Sequence, residues 1–574
     1  MKRLMLRDAG GETTSLPDSL HPVLRRIYAA RGVAEAAELE LTLERLIPPS
    51  QLMGIGQAVE LLVSALREQR RILIVADFDA DGATSCATAA RALRALGAAH
   101  VDFLVPNRFE FGYGLTPEIV QVAAQHAPDL LITVDNGISS IEGVRAARAA
   151  GMRVLITDHH LPGSELPPAD AIVNPNQPGD EFPSKALAGV GVIFYVMLAL
   201  RARLRETGWF TERGIAEPNL ATLLDLVALG TVADVVPLDR NNRILVAQGL
   251  ARIRADRSCP GIQALLRVAG RDPARLTATD LGFTIAPRLN AAGRIADMAL
   301  GIACLLTDDP VEAERMARQL DALNRERREI EAGMQREALT VVERLKLADA
   351  GLPRGLCLFD ESWHQGVIGL VASRVKERVH RPVIAFAPAG DGEIKGSARS
   401  VPGLHIRDAL DNIAARHPEL LSKFGGHAMA AGLTLARRDF EAFARAFDEE
   451  TARWLTDDDL RGRLYTDGEL APADLTLVLA ELLRDAGPWG QGFPEPMFDG
   501  RFEVVERRVV GEKHLKLKLR ASVATPVVDA IAFQAAPQGV APDWSSVHIA
   551  YRLDVNEYQG SRAVQLVVEH IVAA

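Results

Sequence analysis

Residues 71–82 read RILIVADFDADG. The uncharged run 72–76 has the length and composition of a short strand buried on both faces, and three carboxylates two residues apart, Asp77, Asp79 and Asp81, follow it. Where a strand frays into a loop, that spacing sets the acids side by side, and Gly82 lets the backbone turn into a helix beginning near Ala83. Like charges so close repel one another unless a cation sits among them, and hard divalent cations take oxygen ligands. Three readings stand at this point: a solvated acidic turn, a metal site, or a phosphatase loop with an aspartyl nucleophile. The D-x-D-x-D-G pattern also opens an EF-hand loop, but its twelfth position is Thr88, where a bidentate Glu is needed, and the loop is entered from a strand.

Strand and helix patterns alternate from here on. VDFLV (101–105), a helix opened by Thr116 and Pro117, and DLLITV (129–134) give a βαβ order and hence a parallel sheet. The run DLLITV ends in Asp135-Asn136-Gly137, and MRVLIT (152–157) ends in Asp158-His159-His160. A helical stretch, NLATLLDLVALGTV, leads to Asp234. Open parallel sheets bind ligands beyond the carboxyl ends of their strands, so these acids and histidines are expected to converge there.

Upstream, residues 19–70 look helical. Residues 308–348 read as a helix capped by Asp308 with Pro310 just inside, either one rod of roughly 60 Å or two helices broken at Gly333. A second α/β stretch follows. From about 459 the chain changes to alternating β-rich runs, the pattern of a small antiparallel barrel. Arg507, Arg508, Lys513, Lys516, Lys518 and Arg520 cluster along one hairpin there. Phe498, Phe502, Phe533, Tyr551 and Tyr558 offer stacking faces, of which at least half are expected in the barrel core.

A chain of 574 residues with 48% hydrophobic content holds three or four domains. The N-terminus lacks an apolar core and no stretch of about 18 residues is free of charge, so a soluble cytoplasmic protein with no membrane contact is expected. Four dispersed cysteines without a C-x-x-C argue against a disulfide framework or a zinc ribbon. The net charge of −10 leaves nucleic-acid binding to local basic surface or to metal ions that neutralise the acidic site.

ADFDADG (76–82), VDNG (134–137), TDHH (157–160) and LGTVADVVPL (229–238) together resemble the DHH phosphoesterases. PRLNAAGR (287–294), WHQGVIGLVASR (363–374), GSARS (396–400), GGHAMAAG (425–432) and PWGQGFPEPMF (488–498) extend the resemblance to the RecJ single-strand-specific exonucleases within them. It implies an N-terminal helical segment (1–49), a parallel-sheet DHH domain (50–307), a connecting helix (308–349), an α/β DHHA1 domain (350–458) and an OB-fold (459–574). It also implies two metal ions, with Asp135 bridging, Asp77 and Asp79 on one, and Asp81, His159 and Asp234 on the other. Many relatives place a His at the position of Val75; this chain does not, and Asp77 would substitute. A carboxylate-rich set with a single imidazole suits Mn²⁺ or Mg²⁺ better than Zn²⁺.

His160 is then expected at the scissile phosphate or leaving group, with a metal ligand as its rival role, and Asp158 is expected to orient a histidine. Arg108, Ser397 and Arg399 would recognise a 5′ phosphate, while Arg288 and His427 would contact the phosphate near the metals. The activity so implied is metal-dependent 5′-to-3′ degradation of single-stranded DNA to 5′-mononucleotides in repair and recombination, with a single-strand-binding protein and a helicase as partners. The alternatives are a DHH phosphodiesterase for oligonucleotides or dinucleotides, and an inactive replication scaffold of the same fold.

Overall fold

A computed structural model describes residues 3–8, 15–107, 114–347, 352–421, 423–511, 513–536, 539–558 and 560–574. Arg108 and the side chain of Tyr558 lie outside the described residues. The chain forms two compact units, one of Leu6–Ala322 with Tyr465–Ala574, the other of Leu323–Leu464 with the described residues up to Met5. A short strand β1 (Arg3–Leu6) pairs with β12 (Arg463–Thr466).

The larger unit is built on a five-stranded parallel sheet of β2 (Ile72–Ala76), β3 (Val101–Leu104), β4 (Leu130–Val134), β5 (Arg153–Thr157) and β6 (Ala171–Val173), in the order β3-β2-β4-β5-β6. Register decides what happens at its carboxyl edge. Ala76 is paired with Val134, and Val134 with Thr157, so the three central strands stop level with one another. The next residues on each, Asp77, Asp135 and Asp158, therefore leave the sheet in one row.

One face of the sheet buries Leu73, Val75, Leu131, Val154 and Ile156 against Ile119, Val120 and Val144 of the helices Pro117–Ala124 and Ile141–Ala149. The helix Ala80–Ala95, which follows β2 and lies against β2, β3 and β4, packs with Gly189–Glu206 and Leu224–Ala233. Gly230 permits that crossing, because a Cβ there would lie 2.2 Å from Thr84 Oγ1 and 2.8 Å from Asp81 Oδ1. The four cysteines form no disulfide.

The charged segment after residue 308 is one unbroken helix, Pro310–Leu347, of 38 residues or roughly 57 Å. Gly333 does not interrupt it. Its expected cap, Asp308, is corrected by the structure: Asp309 accepts the Val311 N–H at 2.8 Å, while Asp308 pairs with Arg91 at 2.8 Å.

The smaller unit carries a mixed sheet of β7 (Leu356–Phe359), β8 (Val383–Gly390), β9 (Glu393–Arg399), β10 (Lys423–Gly426) and β11 (Ala430–Ala436), in the order β10-β11-β9-β8-β7. Its core, around Phe386, Leu433, Phe443 and Phe447, encloses a charged anchor nearby, the side chain of Glu450, 1% exposed. Burial raises the Glu450 carboxyl, but hydrogen bonds from Trp454, Arg416 and Asn412 outweigh it and hold the group below its usual range. A depressed folded-state pKa contributes stability present above the unfolded value of about 4.3 and lost as pH falls through the folded one. Glu450→Gln is accordingly expected to lower stability by about 3 kcal/mol at pH 7 and to flatten the acid limb, measured by denaturant melts of the full chain from pH 3 to 7.

The C-terminal barrel closes through β13 (Phe498–Val510), β14 (His514–Arg520), β15 (Val528–Ala532), β17 (Ser561–Ala573) and β16 (Ser546–Tyr558) in that order. All its pairings are antiparallel save β15 with β17, which is parallel. Phe498, Phe502 and Tyr551 are at most 5% exposed and form its core, as expected for at least half of the aromatic set.

Candidate active site

The row of acids at the sheet edge is closed by hydrogen bonds that extend the ladder one residue further: Asp135 N donates to Thr157 O at 3.0 Å and Asp158 N to Val173 O at 3.2 Å. Asp135 takes a φ of +61°, and so does Val235 beside Asp234. A left-handed β-branched residue is costly, and such strain collects where the surroundings over-determine the backbone, as at functional sites.

Ligand atoms of Asp77, Asp79 and Asp135 lie within 4.8 Å of one another, and the same holds for Asp81, His159 and Asp234 and for Asp135, His159 and His160. His159 Nε2 links the sets, 3.1 Å from Asp135 Oδ1 and 3.4 Å from Asp234 Oδ2. The first two groups bring together the residues that the resemblance names for each ion, and Asp135 belongs to the first and the third. Asp79 additionally caps its helix through Oδ1, accepting Gly82 N–H at 2.9 Å. Both oxygens of Asp81 accept backbone N–H groups, from Gly189 at 2.6 Å and Val190 at 3.0 Å, in the first turn of Gly189–Glu206.

Burial, with Asp79 adding to it, pushes the Asp81 carboxyl up to about 7 against the pull of those two N–H groups. The Asp135 and Asp234 carboxyls are likewise held well above the usual range, by burial first and then by the neighbouring acids. A set of buried oxygens that cannot all ionise together is the donor chemistry of a divalent cation site, so the residues present fit hard metal ions.

Asp158 has a different task. Its Oδ1 accepts from His159 N, His160 N and His160 Nδ1 (2.8, 3.1 and 2.7 Å) and its Oδ2 from Ile138 N at 2.9 Å, which orients the His160 ring. Burial works against the His160 imidazolium, but Asp158 and the acids beyond it raise its pKa to about 9. Asp158→Asn is expected to lower kcat by roughly 10- to 100-fold while leaving Mn²⁺ affinity within a few-fold, read by turnover and metal titration on the same preparations.

Several positioning residues escaped the sequence reading. Asn174 Nδ2 donates to His160 O at 2.9 Å and Asn176 Nδ2 to His159 O at 2.6 Å, which holds the main chain of the histidine pair. Asn290 Oδ1 accepts Ala80 N–H at 2.8 Å, tying helix Ala286–Ile295 to the acid loop. Gly293 comes so close to Phe78 O that a Cβ would sit 1.7 Å from it. The NPN triplet and the Asn of PRLNAAGR were the available signals.

Arg288, expected on a phosphate, is 8% exposed and lies against Asp321 (2.9 Å) and Thr284 O (2.5 Å), so in this structure its charge is met by a carboxylate. In the smaller unit, Arg399 Nη1 donates to Ser397 Oγ at 3.1 Å and to Ala398 O at 2.8 Å. Arg399 has no carboxylate partner among the described residues, and burial alone lowers its pKa. A Cβ on Gly369 would lie 2.9 Å from both Arg399 Nη2 and Ser397 Oγ, so the first turn of helix Ile368–Val379 stands directly on this pair. An unneutralised guanidinium, a hydroxyl and a helix N-terminus form a corner suited to an anion. Ser397 is in register with Gly432, and Gly432 with Gly425, leaving bare backbone beside it. His427 is exposed in the turn between β10 and β11.

The basic residues expected along one hairpin of the barrel are there, and four of the six form ion pairs. Arg507 pairs with Asp543, Lys516 with Asp529 (3.5 Å), Lys518 with Glu506 (2.6 Å) and Arg520 with Glu503 (2.9 Å). Arg508 and Lys513 enter no ion pair among the described residues. Phe533 is 59% exposed and rests edge-on against His514 with centroids 5.4 Å apart.

Comparison with known proteins agrees with this geometry. Family models match in chain order: the DHH family N-terminal domain over residues 71–231, the DHHA1 domain over 352–453 and the RecJ OB domain over 466–570. The chain is 58% identical over 560 residues to the single-stranded-DNA-specific exonuclease RecJ of Dickeya dadantii, covering 97% of each. It is 56% identical to the Escherichia coli protein of the same name, covering 98% of this chain and 97% of that one. The crystal structure of RecJ from Thermus thermophilus in complex with Mn²⁺ superposes with a TM-score of 0.79 at 32% identity, over 99% of this chain and 79% of that one. Its Mg²⁺ complex gives 0.74 at 30% identity, over 99% and 78%. With three domain matches in order and near-complete coverage at this identity, the chain belongs to the RecJ family of single-stranded-DNA-specific exonucleases.

Proposed function

We propose that the protein is a metal-dependent exonuclease that degrades single-stranded DNA from its 5′ end to 5′-mononucleotides. The observation that carries this reading is a pair of three-residue ligand groups linked by the 3.1 Å approach of His159 to Asp135, beside a histidine anchored by Asp158. Asp77, Asp79 and Asp135 would hold one cation and Asp81, His159 and Asp234 the other, as Mn²⁺ or Mg²⁺, the ions of the Thermus thermophilus complexes. Such ions, when bound, neutralise phosphate charge and ease deprotonation of water at neutral pH.

The chain's own residues would do the rest. His160, its ring held through Nδ1 by Asp158, would donate to the scissile phosphate or its departing 3′ oxygen as the bond from water to phosphorus forms and the P–O3′ bond breaks. Arg399 and Ser397, with the helix end above them, would take the terminal phosphate and so count from the 5′ end. Arg108 shares that role in the proposal, with Arg288 and His427 contacting phosphate nearer the metals.

The barrel would hold the strand by stacking more than by charge, since most of its hairpin cations are already paired. Phe533→Ala is expected to weaken binding of a 40-mer single strand by roughly 10-fold while leaving turnover of a very short oligonucleotide unchanged, measured by fluorescence anisotropy and product release. The family's expected partners, a single-strand-binding protein and a repair helicase, and residence in the cytoplasm belong to the same proposal. Among the described residues, no helix is long and apolar enough to cross a membrane.

The test is degradation of 5′- and 3′-labelled single strands and duplexes with Mn²⁺, Mg²⁺ or chelator. Labelled mononucleotide appearing first from the 5′-labelled single strand, and only with metal, supports the reading; first release from the 3′ label contradicts its polarity.

A further inference from the structure

Two guanidinium groups bracket one aromatic stack in the larger unit, and they are treated differently. Tyr28, Trp489 and Phe493 stack with centroids 5.2 to 6.3 Å apart. Arg31 lies over the Trp489 ring at 5.3 Å and Arg243 over the Phe493 ring at 4.2 Å. Arg31 is neutralised by a bidentate pair with the buried Asp467, at 2.8 and 3.1 Å.

Arg243 is only 5% exposed, yet it enters no ion pair and donates no side-chain hydrogen bond among the described residues; its Nε is buried without an acceptor. The carboxylates that act on it from a distance are engaged elsewhere. Glu38 accepts the N–H groups of Ala34 and Glu35 at 2.9 and 3.0 Å. Asp239 accepts Asn242 N–H at 2.9 Å and the Ser184 hydroxyl at 2.6 Å.

A buried cation without a counter-charge is costly, and a protein relieves that cost with an anion or a change of side chain. There is room for an anion. Arg243 lines a cavity of about 250 Å³ together with Tyr28, Leu39, Leu41, Asp485 and Phe493. The Asp485 carboxylate is held by Arg484 at 2.9 Å, and the Tyr28 hydroxyl donates to Ala486 O at 2.9 Å. One wall of the cavity is thus cationic and another apolar.

We propose that this cavity binds a small oxyanion of the phosphate-monoester class, with Arg243 on the charged end and Leu39, Leu41 and Phe493 against the organic part. Inorganic phosphate is one source of that chemistry. The other is a nucleoside 5′-monophosphate, the product of the reaction proposed above, and that half rests on the exonuclease reading. The walls come from the N-terminal segment, the helix Arg240–Arg254 and the stretch that leads into β13, so an occupant joins three distant parts of the chain.

The experiment is calorimetric melting of the full chain in chelator, in an Arg399→Ala background that removes the other anion corner, with inorganic phosphate, thymidine 5′-monophosphate or thymidine. Phosphate or the monophosphate is expected to raise Tm by about 2 °C, and Arg243→Met to abolish the rise while leaving the ligand-free Tm equal or higher. A rise with the monophosphate alone assigns the site to mononucleotides, and an equal rise with both assigns it to phosphate. Absence of any rise, an equal rise with thymidine, or a rise that survives Arg243→Met would overturn the proposal. Should Arg243→Met fail to fold, Leu39→Trp fills the cavity with Arg243 in place: loss of the rise supports the site, and its persistence overturns it. Because no nuclease turnover is read, failure here is distinguishable from failure of the exonuclease assignment.

Discussion

Asp135→Asn is expected to lower turnover of single-stranded DNA by at least on the order of 10³-fold with the fold and strand binding retained. The substitution keeps size and hydrogen-bonding shape but removes a charged donor from the Asp77–Asp79–Asp135 group and the carboxylate 3.1 Å from His159 of the other. Larger changes at this point would confuse the result. The start of helix Gly189–Glu206 presses on Asp135, and even a Cβ on Gly189 would come within 2.6 Å of the Asp135 Cβ. Relief of repulsion among Asp81, Asp135 and Asp234 should leave the metal-free variant equal to or more stable than the parent, which separates a chemical loss from an unfolded protein. The measurement is kcat on a labelled single strand beside strand affinity in chelator and a thermal melt.

Arg399→Met is expected to erase preference for a phosphorylated 5′ end. A charge-assisted contact to a phosphate in a corner already built from Ser397 and a helix N-terminus is worth about 2 to 3 kcal/mol, or roughly 30- to 150-fold in kcat/KM. The parent should therefore favour 5′-phosphate over 5′-hydroxyl strands by that factor, and the variant should treat them alike. Stability should not suffer, because Arg399 is a half-buried cation with no carboxylate to lose among the described residues. Competition between the two strand types in one reaction gives the ratio directly.

Much of the site was legible because strand register does arithmetic the sequence already contains. Short apolar runs that stop level with one another deliver Asp77, Asp135 and Asp158 to one edge, and each run ends in the sequence directly before its acid. What could not be seen is whatever depends on a distant partner. Lys516, Lys518 and Arg520 read as unpaired cations along one hairpin until the pairing of β14 with β13 and β15 brings Asp529, Glu506 and Glu503 beside them. Asn174, Asn176 and Asn290 act through backbone atoms of other segments, which no local pattern announces. The unmatched charge of Arg243 is hidden for the same reason, since it exists only because Glu38 and Asp239 are occupied by their own neighbours.

The proposed chemistry needs two cations held side by side around Asp135. Its most direct test is Mn²⁺ binding to the full chain, by equilibrium titration with electron paramagnetic resonance on the same samples. Two ions per chain with a spin-coupled spectrum, reduced to uncoupled or single-ion binding by Asp135→Asn, is the expected result. A single uncoupled Mn²⁺ per wild-type chain at saturating metal, with full nuclease activity, would contradict it.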